Sequence, residues 1–263
     1  MNSTKTIGIL TIVTALGLVS GCSQDDAPGA TAGGGANNNL GDSTPTGIVT
    51  HRDFQILFDP GNPEIYDADG SYTQKEVKIV ISADDVHDLI VSGQIVKFRT
   101  EWGSFKDEKD ACTLENGECY VTWIPGGTSN PLTGQTPPPG DCLVAFTAWT
   151  VGEEKFADIN DNGRFDVGES FVDLEEPYLD INSNGQYDSA CNVDLVCETI
   201  DIVGFPGSGT SGANGVHDLG DGIYNGSLCD SYAGNPQCDS SAKSTMIHTR
   251  NDLLIKKDGG TCP

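Results

Sequence analysis

The stretch "CLVAFTAWTV", residues 142–151, is apolar at nearly every position and carries no charge. A strand with one wet face alternates apolar and polar residues, whereas a strand covered on both faces does not. This stretch therefore reads as the central strand of an all-β domain. The neighbouring runs supply the half-wet strands around it. "EVKIVIS" and "QIVKFRT" alternate, with Val96 and Phe98 on one face and Lys97 and Arg99 on the other. "CYVTW" sets Cys119, Val121 and Trp123 against Tyr120 and Thr122. Turn signals ("DPGNP", "DADG", "ENGE") break these runs at short intervals, and "TSNPLTGQTPPPGD" is a Pro/Gly loop. Short strands with regular turns and no amphipathic helix predict a β-sandwich.

Residues 153–242 follow a different pattern, dense in Gly, Asn and Asp, with little material for a core. "STMIHTRNDLLI" then returns to strand composition and is expected to complete the sandwich within residues 243–263. The acidic region is thus an excursion from one end of the sandwich.

Within that excursion "DINDNGRFDVGE" (158–169, loop one) matches a twelve-residue calcium loop. Calcium is a hard cation that takes six to eight oxygens, and such a loop presents them at positions 1, 3, 5, 7, 9 and 12. The ligands fall on Asp158, Asn160, Asn162, the Arg164 carbonyl, Asp166 and Glu169. Gly163 stands at position 6, where the chain must turn with positive φ. Phe165 stands at position 8, which faces a hydrophobic neighbour. The register returns in "DINSNGQYD" (loop two) with Asp180, Asn182, Asn184, the Gln186 carbonyl and Asp188. Position 12 is now Cys191, so a carboxylate from elsewhere must substitute. Asp173, Glu175, Glu176 and Glu198 are the candidates. "HDLGDGIYNGSLCD" holds Asp218, Asp221, Asn225 and Asp230 in no clear register, and both a third ion site and a plain turn fit it. Without a cation the loop carboxylates repel one another, and no core is expected to hold the segment.

Nine cysteines leave one unpaired. Setting Cys22 aside leaves Cys112, Cys119, Cys142, Cys191, Cys197, Cys229, Cys238 and Cys262, a disulfide framework for an exported chain with 105 formal pairings. Proximity suggests Cys112–Cys119, Cys191–Cys197 and Cys229–Cys238, which leaves Cys142 for Cys262. No paired Cys-x-x-Cys or His spacing supports zinc.

The formal charge of −25 excludes nucleic acid and anionic lipid surfaces as favoured partners. The four histidines are scattered, and neither His-Glu-x-x-His nor Gly-x-Ser-x-Gly occurs, so no enzyme is expected. A pair of carboxylates in a carbohydrate-active or other hydrolase accessory module is the alternative of another class. A dockerin-like partner-binding module is a third, but it needs an amphipathic helix after each loop.

Two resemblances add to this reading. Lys5, the run "IGILTIVTALGLV" and "LVSGC" resemble a bacterial lipoprotein signal peptide ending in a lipobox. That likeness implies a signal peptide over 1–21, acylation of Cys22 and, with Ser23 following, an outer-membrane or cell-surface location. Residues 22–46 would be a flexible linker reaching about 25–30 Å from the membrane. Asp69-Gly70 before "KEVKIVIS", then "SGQIVKFRTEWGSF" and "CTLENGECYVTW", look like the invasin-type bacterial immunoglobulin-like domains of surface adhesins and envelope lipoproteins. The likeness covers about residues 47–152 and implies an immunoglobulin-like Greek-key β-sandwich. It also implies a structural or adhesive role toward a protein or glycan ligand. The Cys112/Cys119 pair departs from that family and is expected to be a local hairpin staple, not a cross-sheet bond. The excursion is similar to helix-poor calcium insertions of such surface proteins.

Overall fold

The computed structural model describes residues 45–65, 75–126, 139–191, 196–200, 215–229, 236–238 and 244–255. The chain divides into Met1–Asn38, wholly outside those residues, and Asn39–Pro263, which holds the fold. Cys22, Asp69-Gly70 and Cys262 lie outside the described residues, as does most of the Pro/Gly loop.

Among the described residues nine strands form two sheets. The first contains β1 (Val49–Thr50), β4 (Ile95–Thr100), β6 (Ala111–Thr113), β8 (Leu143–Glu153) and β9 (Thr245–Leu254). The second runs β2 (Gln55–Asp59), β3 (Val77–Ser82), β7 (Glu118–Ile124), β5 (Ser104–Phe105). Among the described residues helical structure is limited to two three-residue turns, His51–Asp53 and Lys106–Glu108. The protein is all-β and sandwich-like.

The alternation read from the sequence becomes the inner faces of the sheets. Val77, Ile79 and Ile81 of β3 meet Val121 and Trp123 of β7, and Val96 and Phe98 of β4 join Val144, Phe146 and Ala148 of β8 in one core. Trp123 is fully buried, stacks edge-on against Phe146, and donates its indole N–H to the Trp102 carbonyl at 2.8 Å. Burying an aromatic of this size with its N–H satisfied is among the strongest local contributions a small core makes.

β8 is central. It pairs with β4 (Lys97 opposite Trp149 through Thr100 opposite Phe146) and along its length with β9 (Leu143 opposite Leu254 through Gly152 opposite Thr245). β1 joins its end in parallel at Gly152 and Glu153. Its second face explains why it is apolar throughout. Ala145 and Trp149 pack with Leu179 and Ile200 of the excursion, so β8 is covered by the other sheet on one side and by the acidic segment on the other.

One expectation is overturned. The Cys112–Cys119 disulfide is a cross-sheet bond, because Cys112 lies on β6, which pairs with β4, while Cys119 lies on β7, which pairs with β3. "ENGE" is still a two-residue hairpin turn, since Glu115 and Glu118 exchange backbone hydrogen bonds (2.8 and 3.2 Å) around Asn116 (φ 55°) and Gly117 (φ 80°), but the strands on either side part into different sheets. Cys191–Cys197 and Cys229–Cys238 are also bonded, and Cys142 is disulfide-bonded as well.

His248 on β9 and His51 sit where the excursion covers the first sheet, near Tyr178 and Arg250. Burial pulls His248 down to about 3 and His51 to about 4, with Arg250 pressing in the same direction on both. Below its ordinary value of 6.5 the unfolded chain binds a proton that folded His248 refuses, so this stability is present above pH 6.5 and is lost on acidification toward pH 3. His248→Phe should remove a slope of about 1.4 kcal/mol per pH unit from the wild-type stability curve between about pH 6 and 4. Denaturant unfolding of both proteins across that range checks it; parallel curves would show that His248 does not carry the dependence.

Candidate metal centre

Side chains of the first sheet seat the excursion, and a backbone bond within the excursion ties its two halves. Thr147 Oγ1 of β8 donates to the Tyr178 carbonyl at 2.7 Å, just ahead of loop two. Arg99 of β4, the residue opposite Thr147, donates to the carbonyls of Thr199 at 2.6 Å and Cys197 at 3.3 Å. Leu179 N–H donates to the Glu198 carbonyl at 2.8 Å. The outward face of β4, charged for no reason visible in the sequence, thus clamps the segment carrying Glu198.

The expectation that no core holds the excursion fails. Phe156, Phe165, Phe171 and Tyr224 form an aromatic cluster, with Phe165 and Tyr224 ring centroids 4.5 Å apart. Phe165, at position 8 of loop one, is fully buried there. The spacing of these residues follows neither a helical nor a strand period, so no pattern in the sequence marks them.

Both loops are built by the same hydrogen bonds. Asp158 accepts the N–H groups of Asn162 (3.1 Å) and Gly163 (2.6 Å), and Asp180 those of Asn184 (3.0 Å) and Gly185 (2.7 Å). Asn160 Oδ1 accepts from Asn162 N–H and Asn182 Oδ1 from Asn184 N–H, each at 3.1 Å. Asn162 Oδ1 takes the Arg164 N–H at 2.8 Å, and Asn184 Oδ1 the Gln186 N–H at 2.7 Å. The amides of Asn160 and Asn162 reach Asp166 Oδ2, as those of Asn182 and Asn184 reach Asp188 Oδ2. Gly163 and Gly185 turn at φ 72° and 77°, a conformation that costs glycine nothing.

Position 12 distinguishes the loops by connectivity and not by geometry. In loop one Glu169 accepts the N–H of position 2, Ile159, at 2.8 Å on Oε1 and that of position 9, Asp166, at 2.9 Å on Oε2. In loop two Glu198 accepts from Ile181 at 3.2 Å on Oε1 and from Asp188 at 2.5 Å on Oε2. These are the same two positions and the same two oxygens. Glu198 therefore takes the place that Cys191 vacates, and the Cys191–Cys197 bond, with Cα atoms 4.0 Å apart, delivers it there. The other candidates are engaged elsewhere: Glu175 with His217, Glu176 with Asp218 N–H, and Asp173 with Gly222 N–H. The sequence cue for Glu198 was its place beside Cys197, legible only once the pairing is known.

Burial raises the Glu198 carboxyl, with Asp188 and Asp180 adding to the shift against the two backbone N–H bonds. Among the described residues no group of three or more His, Cys, Asp or Glu side chains is placed to hold a metal ion. Each loop offers three carboxylates supplemented by two side-chain amides and a carbonyl, an all-oxygen set suited to calcium and poorly suited to zinc. Fixing each carboxylate, Asp158, Asp180, Glu169 and Glu198 by backbone N–H groups and Asp166 and Asp188 by side-chain amides, lowers the ordering cost of binding. Comparison with family models, curated proteins and solved structures returns no match.

Proposed function

We propose that the chain is a calcium-binding cell-envelope lipoprotein. In this reading an immunoglobulin-like Greek-key domain is displayed on an acylated Cys22 at the outer membrane and plays a non-enzymatic structural or adhesive part toward a protein or glycan. The observation that carries the calcium reading is the matching bond pattern of loops one and two, down to Glu198 standing where Glu169 stands. A surface turn needs no carboxylate returned from another segment to bridge positions 2 and 9. The two-sheet architecture and the disulfides support an exported domain, since such bonds persist in oxidising compartments.

Titrating calcium into chelator-stripped protein should show saturable binding with dissociation constants of about 10⁻⁴ to 10⁻³ M, the extracellular class. Magnesium should compete poorly, because it demands a compact octahedron and gives up water reluctantly. No heat and no retained calcium at 10-millimolar order (roughly ten times the weakest constant expected) would remove the reading. The anchor has its own test: Cys22→Ser should shift the protein from the membrane to the soluble fraction, and unchanged membrane association would exclude acylation there.

A further inference from the structure

We infer that the excursion contains a third calcium site, assembled from three separate stretches of chain: Asp173, the segment Asp221–Asn225, and Glu154. It rests on the calcium reading of loops one and two for the identity of the ion, and on its own residues for its existence. In both loops the position-1 aspartate accepts the N–H of position 6. Here Asp173 Oδ2 accepts the N–H of Gly222 at 2.9 Å, and Gly222 turns at φ 74° as Gly163 and Gly185 do. In both loops the position-5 side chain accepts the N–H of position 7; here Asp221 Oδ1 accepts from Ile223 at 2.9 Å. Position 8, as in loop one, is a buried aromatic, Tyr224, packed at a tilt against Phe165.

The position-12 place is filled in the same way. Glu154 Oε1 accepts the N–H of Leu174 at 2.7 Å, the residue after Asp173, and Oε2 accepts that of Asn225 at 2.9 Å. These are positions 2 and 9 once more. The register invisible in "HDLGDGIYNGSLCD" is therefore recovered in space at positions 1, 5 to 9 and 12, with position 1 supplied by Asp173 and position 12 by Glu154. Gly220 shows the cost of that arrangement, since a Cβ there would lie 2.2 Å from Asp173 Oδ1. Only glycine lets the borrowed aspartate enter.

A second observation points to a ligand. Asn225, at position 9, is 3% exposed, and its Oδ1 is buried with no hydrogen-bond partner. Its amide nitrogen lies 3.3 Å from Asp221 Oδ1 and 2.8 Å from the Ile223 carbonyl, so the amide group faces two of the site's oxygens, and a half-turn about its last torsion brings Oδ1 to the ion instead. Native proteins rarely leave a buried amide oxygen unpaired. Calcium bound by Asp173, Asp221, the Ile223 carbonyl, Asn225 Oδ1 and both oxygens of Glu154 has six oxygen ligands and satisfies it.

Equilibrium dialysis of the whole chain against calcium, with the ion counted by elemental analysis, tests this. Three ions per chain are expected. Asp221→Asn keeps the acceptor for Ile223 N–H while removing the charge, and should weaken one of the three at least tenfold with the other two unchanged. Glu154→Gln should do the same, and unchanged far-ultraviolet circular dichroism establishes that either variant is folded. Asp158→Ala should remove a different ion, so that the Asp158→Ala/Asp221→Asn double variant retains one. Two ions in the wild type, or a stoichiometry and affinities untouched by Asp221→Asn, would overturn the third site and leave loops one and two standing. No bound calcium at all would overturn both readings.

Discussion

Trypsin should cut the protein at Arg164 about a hundredfold faster once calcium is stripped away, if binding at a hundredfold excess over Kd contributes about 2.7 kcal/mol to the closed loop and cleavage requires it to open. The sequence makes this a clean assay, since Lys155 and Arg164 are the basic residues of the whole excursion between 153 and 242. Arg164 is exposed at position 7 of loop one, but the next residue, Phe165, is buried in the aromatic cluster and donates its N–H to the Leu228 carbonyl at 3.3 Å. A protease must draw Phe165 out to reach the bond. Calcium on the Arg164 carbonyl opposes that movement, whereas repulsion among Asp158, Asp166 and Glu169 assists it. Asp158→Ala with Glu169→Ala should make cleavage fast and indifferent to calcium. The two-sheet core should stay intact throughout, because its contacts involve none of these groups. Identical cutting rates with calcium and with chelator would leave loop one as a hydrogen-bonded turn.

Glu198→Ala should be among the most damaging carboxylate changes in the excursion. Its carboxylate is buried and accepts from Ile181 and Asp188; its loss strands two N–H groups, at about 1–3 kcal/mol each. The same change removes the bidentate ligand of loop two. Glu198→Gln separates the two effects, since it retains an acceptor oxygen while losing the charge. We expect it to keep most of the stability and still lose loop two's ion. Cys191→Ser should weaken the same ion by releasing the segment that delivers Glu198, although Arg99 still holds the Cys197 and Thr199 carbonyls. Thermal melts and calcium counts on the three variants check this; wild-type behaviour in Glu198→Ala would remove Glu198 from the site.

The strands were legible because a half-buried strand writes its burial into every second residue. Val77, Ile79 and Ile81 show this directly, and β8 was recognisable as central because both of its faces are covered. The turn of loop one was legible because all the residues that hydrogen-bond within it are contiguous. What escaped is what depends on chain crossings. Nothing in "CTLENGECYVTW" tells whether its turn stays within a sheet or arches to the other, since alternation fixes faces and not partners. Glu198 was one of four candidates until the Cys191–Cys197 bond selected it. Glu154 stood at the start of the acidic excursion in no loop register, and Asp173 was one of the stand-ins offered for loop two.

The two bonds of Glu154 also bear on the order in which the molecule folds. In loop one the position-12 carboxylate closes on a partner 10 residues away, but Glu154 reaches Asn225 across 71. Loop-closure entropy grows as the logarithm of length, so the longer connection costs about 2 kcal/mol more to close from the unfolded chain. Loops one and two can form early, from contacts local in sequence. Glu154 meets Asn225 only after β8 has ended and the chain has run through both loops and returned. Its closure is a late step, reached when the long-range topology is already in place, and amide hydrogens at Leu174 and Asn225 should be among the last in the excursion to gain protection during refolding.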